Sequence, residues 1–283
     1  MFKLEVFMEK RVLTSSLLKD ENVIAFFTTR DLPLKAGERD DLIQAIEANK
    51  KLVCEGLNIS LESLVIPQQT HSDNVEIVKY PSPQPSPPRG EGESLHNFSP
   101  LTSHFSPFKN TDALVTDTPN IALALNFADC VPIIFYDPVK KVAGAAHAGW
   151  RGTAAEIAPK TVDKMIENFN CKPQDIIALI GPAIGKCCFE VKDDVLAQII
   201  SSLLLSRPWD TLPLEGEGVN DAISGNFADL KLINKIQLLA KGIKKIDVCE
   251  YCTSCQNELF FSYRKENGKT ARHSAVIMVN SEQ

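Results

Sequence analysis

Three residues with metal-binding side chains, His71, Cys130 and His147, end or follow apolar segments of this chain. Zinc accepts a mixture of imidazole and thiolate, and three protein ligands with a fourth position open are typical of a catalytic zinc site. A zinc ion in such a site lowers the pKa of a bound water to roughly 7, so that the water becomes a nucleophile at neutral pH. The long separations between the three residues match no local ligand motif, so packing of each side chain in the core stays an alternative.

The segment from His147 to Gly152 predicts a turn between a strand and a helix. Its two glycines are unfavourable inside a helix, where glycine costs roughly 1 kcal/mol relative to alanine. We expect the turn to join a strand over Val142–Ala146 to a helix that opens near Thr153. Turns at strand ends commonly hold functional residues. Within this turn, Gly149 would allow close approach of a substrate.

Four further residues are candidates for the site because of their charge and position. Arg30, Arg151 and Arg264 each lie at a predicted strand end or turn, where a guanidinium could hold phosphate. A salt bridge at the surface is the alternative for each of them. Asp129 could orient a histidine or assist proton transfer, and the alternative is a buried hydrogen-bonding role within its own turn.

The chain has eight cysteines, which favours metal binding, catalysis or burial over a disulfide framework. Cys249, Cys252 and Cys255 form a C-x2-C-x2-C run, but the fourth cysteine and the following proline of an iron–sulfur motif are missing. No second C-x2-C supports a zinc ribbon. We therefore expect no metal at this run, and we expect the adjacent Cys187 and Cys188 to be buried or incidental.

Six motifs of this chain together resemble one known family. In chain order they are Gln69-Thr70-His71-Ser72, Asp129-Cys130-Val131-Pro132, His147-Ala148-Gly149-Trp150-Arg151-Gly152, Ile180-Gly181-Pro182-Ala183-Ile184-Gly185, Cys252-Thr253 and Phe261-Ser262-Tyr263-Arg264. This order resembles the multicopper polyphenol oxidase or laccase-type family, a former domain of unknown function whose members are also described as purine nucleoside phosphorylases. The resemblance extends from about Val23 to Val279. One departure is Ala271, where the family usually has glycine, and it weakens any role for Arg272.

The resemblance implies a fold, a metal and a set of reactions. The fold is a single layered α/β/β/α domain, and the metal is a zinc ion bound by His71, Cys130 and His147. The reactions are phosphorolysis of adenosine, inosine, guanosine and S-methyl-5'-thioadenosine, together with adenosine deamination. An older assignment is copper-dependent phenol oxidation, but a multicopper site needs several closely spaced histidines, and this chain has five in all. We therefore expect zinc rather than copper.

The predicted elements favour an α+β sandwich with mixed sheets. Many strands and few helices that do not alternate strictly indicate layered sheets rather than a doubly wound fold. The strand series begins at Val23–Thr29 and includes Leu259–Ser262, and the helix after the turn extends from Thr153 to Phe169. We expect one catalytic domain over residues 1–283, with a proline-rich, low-complexity insertion at about 81–107 and a second break at about 212–218.

Charge and hydropathy exclude some classes of partner. The net charge is −6 and no basic stripe occurs, which argues against nucleic acid. No apolar stretch approaches the roughly 18 residues of a membrane span, and the N-terminus lacks the core of a signal peptide. We expect a cytoplasmic enzyme that acts on purine nucleosides and phosphate, as a monomer or small homo-oligomer.

Two other hypotheses remain open at this stage. In the first, Cys130 is a thiolate nucleophile activated by His147 or His71, and the protein is a hydrolase. In the second, the protein is a binding module whose proline-rich insertion recruits a partner and whose zinc is structural.

Overall fold

The computed structural model describes residues 1–79, 108–205 and 219–281. The helices are α1 (Ile43–Leu57), α2 (Trp150–Ala154), α3 (Ile157–Phe169), α4 (Asp193–Leu205), α5 (Val219–Ala222) and α6 (Leu230–Ala240). The strands of the first half are β1 (Phe2–Phe7), β2 (Lys10–Ser15), β3 (Val23–Thr28), β4 (Leu64–Val65), β5 (Val75–Ile77), β6 (Ala113–Thr116) and β7 (Ala122–Phe127). The strands of the second half are β8 (Val131–Asp137), β9 (Val142–Ala148), β10 (Ile177–Ile180), β11 (Ile223–Ser224), β12 (Phe227–Ala228), β13 (Lys245–Val248) and β14 (His273–Val279).

Two six-stranded mixed sheets form the centre of the molecule. The first sheet has the order β1-β2-β3-β14-β7-β4, and the second has the order β13-β10-β8-β9-β6-β5. Most neighbours are antiparallel, whereas the pairs β4–β7, β5–β6 and β10–β13 are parallel. The mixture accounts for the many strands that follow one another without intervening helices.

Three apolar layers hold the sheets and helices together. Between the sheets, Leu123 and Leu125 of β7 pack with Ile134 of β8 and Ala145 of β9. On the outer face of the first sheet, Val53 of α1 packs against residues of β3, β7 and β14. On the outer face of the second sheet, side chains of α3 and α6 cover β6, β8, β9 and β10. The order is therefore helix, sheet, sheet, helix, and the predicted α/β/β/α sandwich with mixed sheets is confirmed.

The N-terminal hairpin of β1 and β2 was not predicted, because the strand series was expected to begin at Val23. The hairpin turn lies at Met8 and Glu9, whose φ angles are 47° and 63°. Two-residue turns of this kind usually carry glycine or asparagine. The turn therefore lacks its usual sequence signal.

The helix expected over Thr153–Phe169 is two helices. Glu156 separates α2 from α3 with a φ of 60°. Pro159 explains the break, because proline cannot donate a backbone hydrogen bond inside a helix but is tolerated in the first turn. Starting α3 at Ile157 places Pro159 in that first turn.

A second difference is the segment Leu259–Ser262, which is irregular and not the expected strand. Phe260 and Phe261 are buried there without a ladder partner, so their apolar character reflects core packing. The expected insertion at 81–107 and the break at 212–218 lie outside the described residues. Within the described part of the chain, no helix is long and apolar enough to span a membrane.

Candidate metal centre and active site

The candidate metal centre lies at one end of the sandwich, between the two sheets. Successive residues of a strand point to opposite faces, and Ala143 and Ala145 of β9 face the inter-sheet core. His147 follows them on the same face at the end of the strand, paired in register with Pro132 of β8. Cys130 directly precedes β8, so both side chains are delivered by neighbouring strands.

The third member of the group, His71, reaches the same point from the loop that follows β4. One side-chain ligand atom from each of His71, Cys130 and His147 lies within 4.8 Å of the other two. The two imidazole rings meet edge to face, with centroids 4.9 Å apart. His71 has a φ of 62°, a conformation that a non-glycine residue adopts only where its surroundings enforce it.

Asp112 enforces that conformation. Its carboxylate, which is fully buried, accepts backbone hydrogen bonds from Thr70 (3.1 Å), His71 (3.1 Å) and Ser72 (2.7 Å). The same carboxylate accepts a 2.7 Å hydrogen bond from Nδ1 of His147. Asp112 therefore fixes one histidine through its ring and the other through its backbone.

The bond to Asp112 also settles which histidine nitrogen faces the cluster. With Nδ1 of His147 occupied, Nε2 is the atom left for a metal or for Cys130. Although burial opposes ionisation of Asp112, hydrogen bonds with His147 and Ser72 hold the pKa of its carboxyl below the usual range. Asp112 is therefore a carboxylate rather than a neutral acid at neutral pH.

The Cys130 thiol is shifted towards the form that binds metals. Burial raises the pKa of Cys130, but the neighbouring His147 and His71 outweigh burial and lower it to about 6. The thiolate, rather than the neutral thiol, is the form of cysteine that binds metals and acts as a nucleophile. The donor set is thus one thiolate and two imidazoles, which fits zinc and also fits other borderline or soft metals.

Gly149 leaves the space in which this cluster sits. A Cβ atom at Gly149 would lie 2.9 Å from Sγ of Cys130 and 3.1 Å from Cδ2 of His71. Its φ of −66° is open to any residue, so the need for glycine is one of space rather than of backbone conformation. Close approach of a substrate at Gly149 stays a prediction, and the close contacts that the structure shows there are with Cys130 and His71.

A cavity of about 560 Å³ opens above the cluster. Its walls carry more positive than negative side chains and a few aromatic and amide groups. They are Lys35, Glu38, Gln69, His71, Asn126, Ala128, Asp129, Cys130, His147, Arg151, Ile184, Phe189, Tyr263, Arg264 and Arg272. The volume and mixed lining are typical of sites that bind small organic molecules.

The cationic residues of the wall differ in how they are held. The guanidinium of Arg151 lies over the Trp150 ring at 4.2 Å, and no carboxylate among the described residues pairs with it. Arg264 donates to the carbonyls of Cys188 (3.1 Å) and Glu190 (3.0 Å). Arg272 pairs with a carboxylate of the same wall. Arg151 is therefore the wall arginine whose guanidinium donors are least engaged by the described residues.

Asp129 takes the hydrogen-bonding role that the sequence left as an alternative. One carboxylate oxygen accepts from the Thr253 hydroxyl and the other from the Arg264 backbone, each at 2.7 Å. Its φ of 85° marks the sharp turn by which the chain crosses from the first sheet to the second, just before Cys130. Asp129 thereby ties three loops around the cavity.

Arg30 is the candidate residue that the structure does not bring to the cavity. Its guanidinium pairs with Glu266, donates to the Asn257 carbonyl at 2.5 Å and lies over the Phe261 ring at 4.4 Å. This arrangement is the salt-bridge alternative, and it stabilises the loop that leads to Arg264.

Several residues of this site were missed from the sequence. Asp112 directly precedes the buried strand β6, and a carboxylate at such a position is a signal that could have found it. Asn126 lines the cavity with a buried Nδ2 that has no hydrogen-bond partner among the described residues. Arg272, whose role the alanine at 271 had weakened, also lines the cavity, as does Lys35.

Comparisons with known proteins identify the family of this chain. A model of the family described as multi-copper polyphenol oxidoreductase laccase matches residues 28–280. Purine nucleoside phosphorylase YlmD of Geobacillus stearothermophilus is 38% identical over 255 residues, which cover 89% of this chain and 84% of that protein. Adenosine deaminase RL5, from an unknown prokaryotic organism, is 29% identical over 234 residues, covering 80% and 78% respectively.

A solved structure extends the likeness to the fold. The crystal structure of YlmD from Geobacillus stearothermophilus superimposes with a TM-score of 0.73 at 32% identity, and covers 95% of this chain and 96% of its own. The resemblance read from the six motifs is thereby confirmed over nearly the whole length. Relatives of this chain include proteins named purine nucleoside phosphorylase and adenosine deaminase. The chain belongs to the multi-copper polyphenol oxidoreductase laccase family.

Proposed function

We propose that this protein is a purine nucleoside phosphorylase with adenosine deaminase activity, acting in the cavity above His71, Cys130 and His147. One observation carries the proposal. A single cavity, large enough for a nucleoside, contains both a group of three candidate metal ligands and several basic side chains. The names of the relatives support the same two reactions.

Phosphorolysis needs an anion held against the sugar. In this reaction a phosphate oxygen forms a bond to C1′ of the ribose while the bond from C1′ to the purine nitrogen breaks, which gives ribose 1-phosphate and the free base. Arg151 is placed to hold the phosphate, because guanidinium groups bind phosphate through paired hydrogen bonds. Arg264, another residue that lines the cavity, adds positive charge.

The base and the sugar need contacts of another kind. Phe189 and Tyr263 offer aromatic surface in the cavity for a purine ring. The free Nδ2 of Asn126 offers a hydrogen-bond donor to an acceptor of the substrate, since a buried amide without a partner is unfavourable until a ligand completes it. Asp129 holds the loops of Thr253 and Arg264 in place around the substrate.

Deamination replaces the 6-amino group of adenosine with oxygen from water and releases ammonia. We infer that His71, Cys130 and His147 hold zinc for this step, because their donor set fits it. When bound, zinc would supply the Lewis acidity that makes water nucleophilic at neutral pH. Asp112 keeps His147 and the His71 loop in the required orientation.

The proposal is tested by incubating the purified, zinc-loaded protein with adenosine, with and without phosphate, and separating the products by chromatography. We expect adenine and ribose 1-phosphate only when phosphate is present, and inosine in both conditions. Absence of ribose 1-phosphate and of inosine from zinc-loaded protein would refute it. His147→Ala should lower both zinc content and turnover.

A second candidate function is supported by one further relationship. Asp112, His147 and Cys130 form a chain in which the carboxylate orients the ring and the ring meets the thiol, as in cysteine hydrolases. Alkylation distinguishes the two functions. Protection of Cys130 by added zinc favours the ligand role, whereas labelling that abolishes hydrolysis by metal-free enzyme favours the nucleophile.

Copper-dependent phenol oxidation has less support from this chain. Within the described residues, two histidines and one cysteine form the centre, whereas multinuclear copper sites rely on several histidines. The third described histidine, His273, is buried against Phe260 outside the cluster.

A further inference from the structure

A second cluster of cysteines lies beside the cavity. Sulfur atoms of Cys187, Cys188, Cys252 and Cys255 all lie within 4.8 Å of one another. Cys255 Sγ is 3.6 Å from Cys187 Sγ and 3.5 Å from Cys188 Sγ. A tetrahedral zinc with four bonds to sulfur of about 2.3 Å has sulfur–sulfur separations of about 3.8 Å. The two measured separations are close to this value, and the four sulfurs are near enough together to reach one ion.

The sheet brings these two remote cysteine pairs together. Strands β10 and β13 are parallel neighbours, with Ile180 in register with Val248, so their following loops leave the same edge side by side. Ala183 and Cys252 form an isolated bridge between the loops, and the Thr253 backbone donates to the Ala183 carbonyl at 3.0 Å. The cluster thus rests on backbone pairing and not on chance contact of side chains.

Gly185 shapes the cluster from within. Its backbone N–H donates to Sγ of Cys252 at 3.2 Å, a contact that favours the thiolate form of the sulfur. A Cβ atom at Gly185 would lie 3.2 Å from Cys252 Cβ and 3.3 Å from Cys187 Sγ. Glycine at this position therefore permits both the N–H···S contact and the close approach of two sulfurs.

We propose that Cys187, Cys188, Cys252 and Cys255 bind a second zinc ion in a closed four-thiolate site. Sets of four thiolates select zinc or iron, and a site with four protein ligands is structural rather than catalytic. The C-x2-C spacing of Cys252 and Cys255 is one that zinc sites use. Cys187 and Cys255 are exposed, so the ion can enter from solvent.

The proposed zinc site lies next to a wall of the cavity and would stabilise that wall. Phe189, in the wall of the cavity, directly follows the cysteine pair, and Arg264 donates to the carbonyls on either side of Phe189. A zinc ion bound by cysteines of the loops after β10 and β13 would hold the two loops together and restrict the motion of this wall. That consequence rests on the proposed function, whereas the presence of the metal does not.

The test counts zinc in the full-length protein, purified without chelator under reducing conditions. Elemental analysis compares the natural protein with Cys187→Ser/Cys255→Ser, His147→Ala and Cys249→Ala. Cys249 is the matched control, since it belongs to the same C-x2-C-x2-C run but lies outside the four-sulfur group. Both serine substitutions are at exposed positions, and circular dichroism checks that each variant is folded.

We expect the double serine variant to lose one equivalent of zinc, His147→Ala to retain the ion at the four-cysteine site, and Cys249→Ala to match the natural protein. Cobalt-loaded His147→Ala should show the intense charge-transfer absorption of several thiolate ligands. An unchanged zinc count in the folded double variant would overturn the proposal. So would a disulfide among the four cysteines, seen by mass spectrometry of a parallel preparation purified anaerobically without reductant.

The two proposals fail in different ways. If the centre at His71 holds no zinc, His147→Ala leaves the count unchanged while the double serine variant still lowers it. If the four-cysteine site holds none, the double serine variant leaves the count unchanged while His147→Ala lowers it.

Discussion

Asp112 and His147 are joined by a 2.7 Å hydrogen bond between a carboxylate oxygen and Nδ1, and neither residue is appreciably exposed. The bond ties the first residue before β6 to the end of its neighbour β9, where the His147 backbone N–H also donates to the Asp112 carbonyl at 2.7 Å. A metal-binding histidine held in this way has its tautomer and ring orientation set by the protein.

Replacing Asp112 with asparagine should weaken metal binding. The asparagine keeps the shape but removes the charge, and it offers only one acceptor oxygen to the Thr70, His71 and Ser72 backbones. We expect zinc affinity at this centre to fall by about 10- to 100-fold, as for other outer-shell ligands. Competition with a chromophoric chelator measures the affinity.

The matched control for this change is Asp137→Asn. Asp137 is equally buried but accepts hydrogen bonds from the turn at Val139 and Lys140, at the opposite end of β8. Its substitution should lower stability without lowering zinc affinity. Equal affinities in the Asp112 variant and the natural protein would show that Asp112 does not support the centre.

Adding one methyl group at Gly149 should disturb the centre and spare the fold. In Gly149→Ala the new Cβ lies 2.9 Å from Sγ of Cys130, so the thiolate or the His71 ring must move. We expect a drop in zinc affinity and turnover of at least about tenfold, which corresponds to about 1.4 kcal/mol. The unfolding midpoint of the metal-free protein should change little, because the backbone angles at Gly149 suit alanine.

Gly144→Ala, on the strand β9 that ends just before Gly149, is the control for this variant. The nearest atom to its added Cβ is Cβ of Phe135 at 3.4 Å, an ordinary contact. This variant should keep its zinc. If both glycine variants lose zinc equally, the effect belongs to β9 as a whole and not to the contact with Cys130.

Substitution of Arg151 should separate the two proposed reactions. Arg151→Met removes the charge but keeps an apolar stem on Trp150, so we expect the KM for phosphate to rise by at least about tenfold, about 1.4 kcal/mol. Deamination, which uses no phosphate, should change less. Initial rates of ribose 1-phosphate and inosine formation measure the split.

Arg30→Met is the matched control for the Arg151 variant. Arg30 lies away from the cavity, where it pairs with Glu266 and donates to two backbone carbonyls. Its loss should therefore lower thermal stability and leave the KM for phosphate nearly unchanged. A larger rise in the phosphate KM for the Arg30 variant than for the Arg151 variant would reverse the assignment.

The sequence predicted the central layers because their residues follow regular patterns. Strands β8 and β9 are mostly apolar and buried along their whole length, as expected for strands covered on both faces. The candidate metal centre was predicted from motifs that each contain one candidate ligand, and the structure brings the three side chains together. Asp112 was missed because its partners, the backbones of Thr70 to Ser72, lie far away in sequence and are met only after folding.

The four-cysteine cluster was missed for a related reason. The expectation was that Cys187 and Cys188 were incidental and that the Cys252 and Cys255 run lacked a fourth ligand. Each judgement considered one segment alone. The four-cysteine cluster becomes visible only when β10 and β13 pair in parallel and their loops leave the sheet side by side.

His273 should make the stability of the protein depend on pH in the acid range. It is fully buried in β14, between Phe127 and Phe260, and burial lowers its pKa from 6.5 to about 3. Below pH 6.5 the unfolded chain takes up a proton at this histidine that the folded protein does not. The free energy of unfolding should therefore fall by about 1.4 kcal/mol for each pH unit from about 6.5 towards 3, and this contribution is fully retained above 6.5.

His273→Leu isolates this effect, because leucine suits the apolar site and cannot take up a proton. Urea unfolding of both proteins at several pH values gives the difference between their stabilities, in which other titrating groups cancel. We expect the difference to be constant above pH 6.5 and to shift in favour of the leucine variant as the pH falls. A difference that stays constant from pH 7 to about 4.5 would show that His273 is protonated in the folded protein, and that its burial is compensated by a partner.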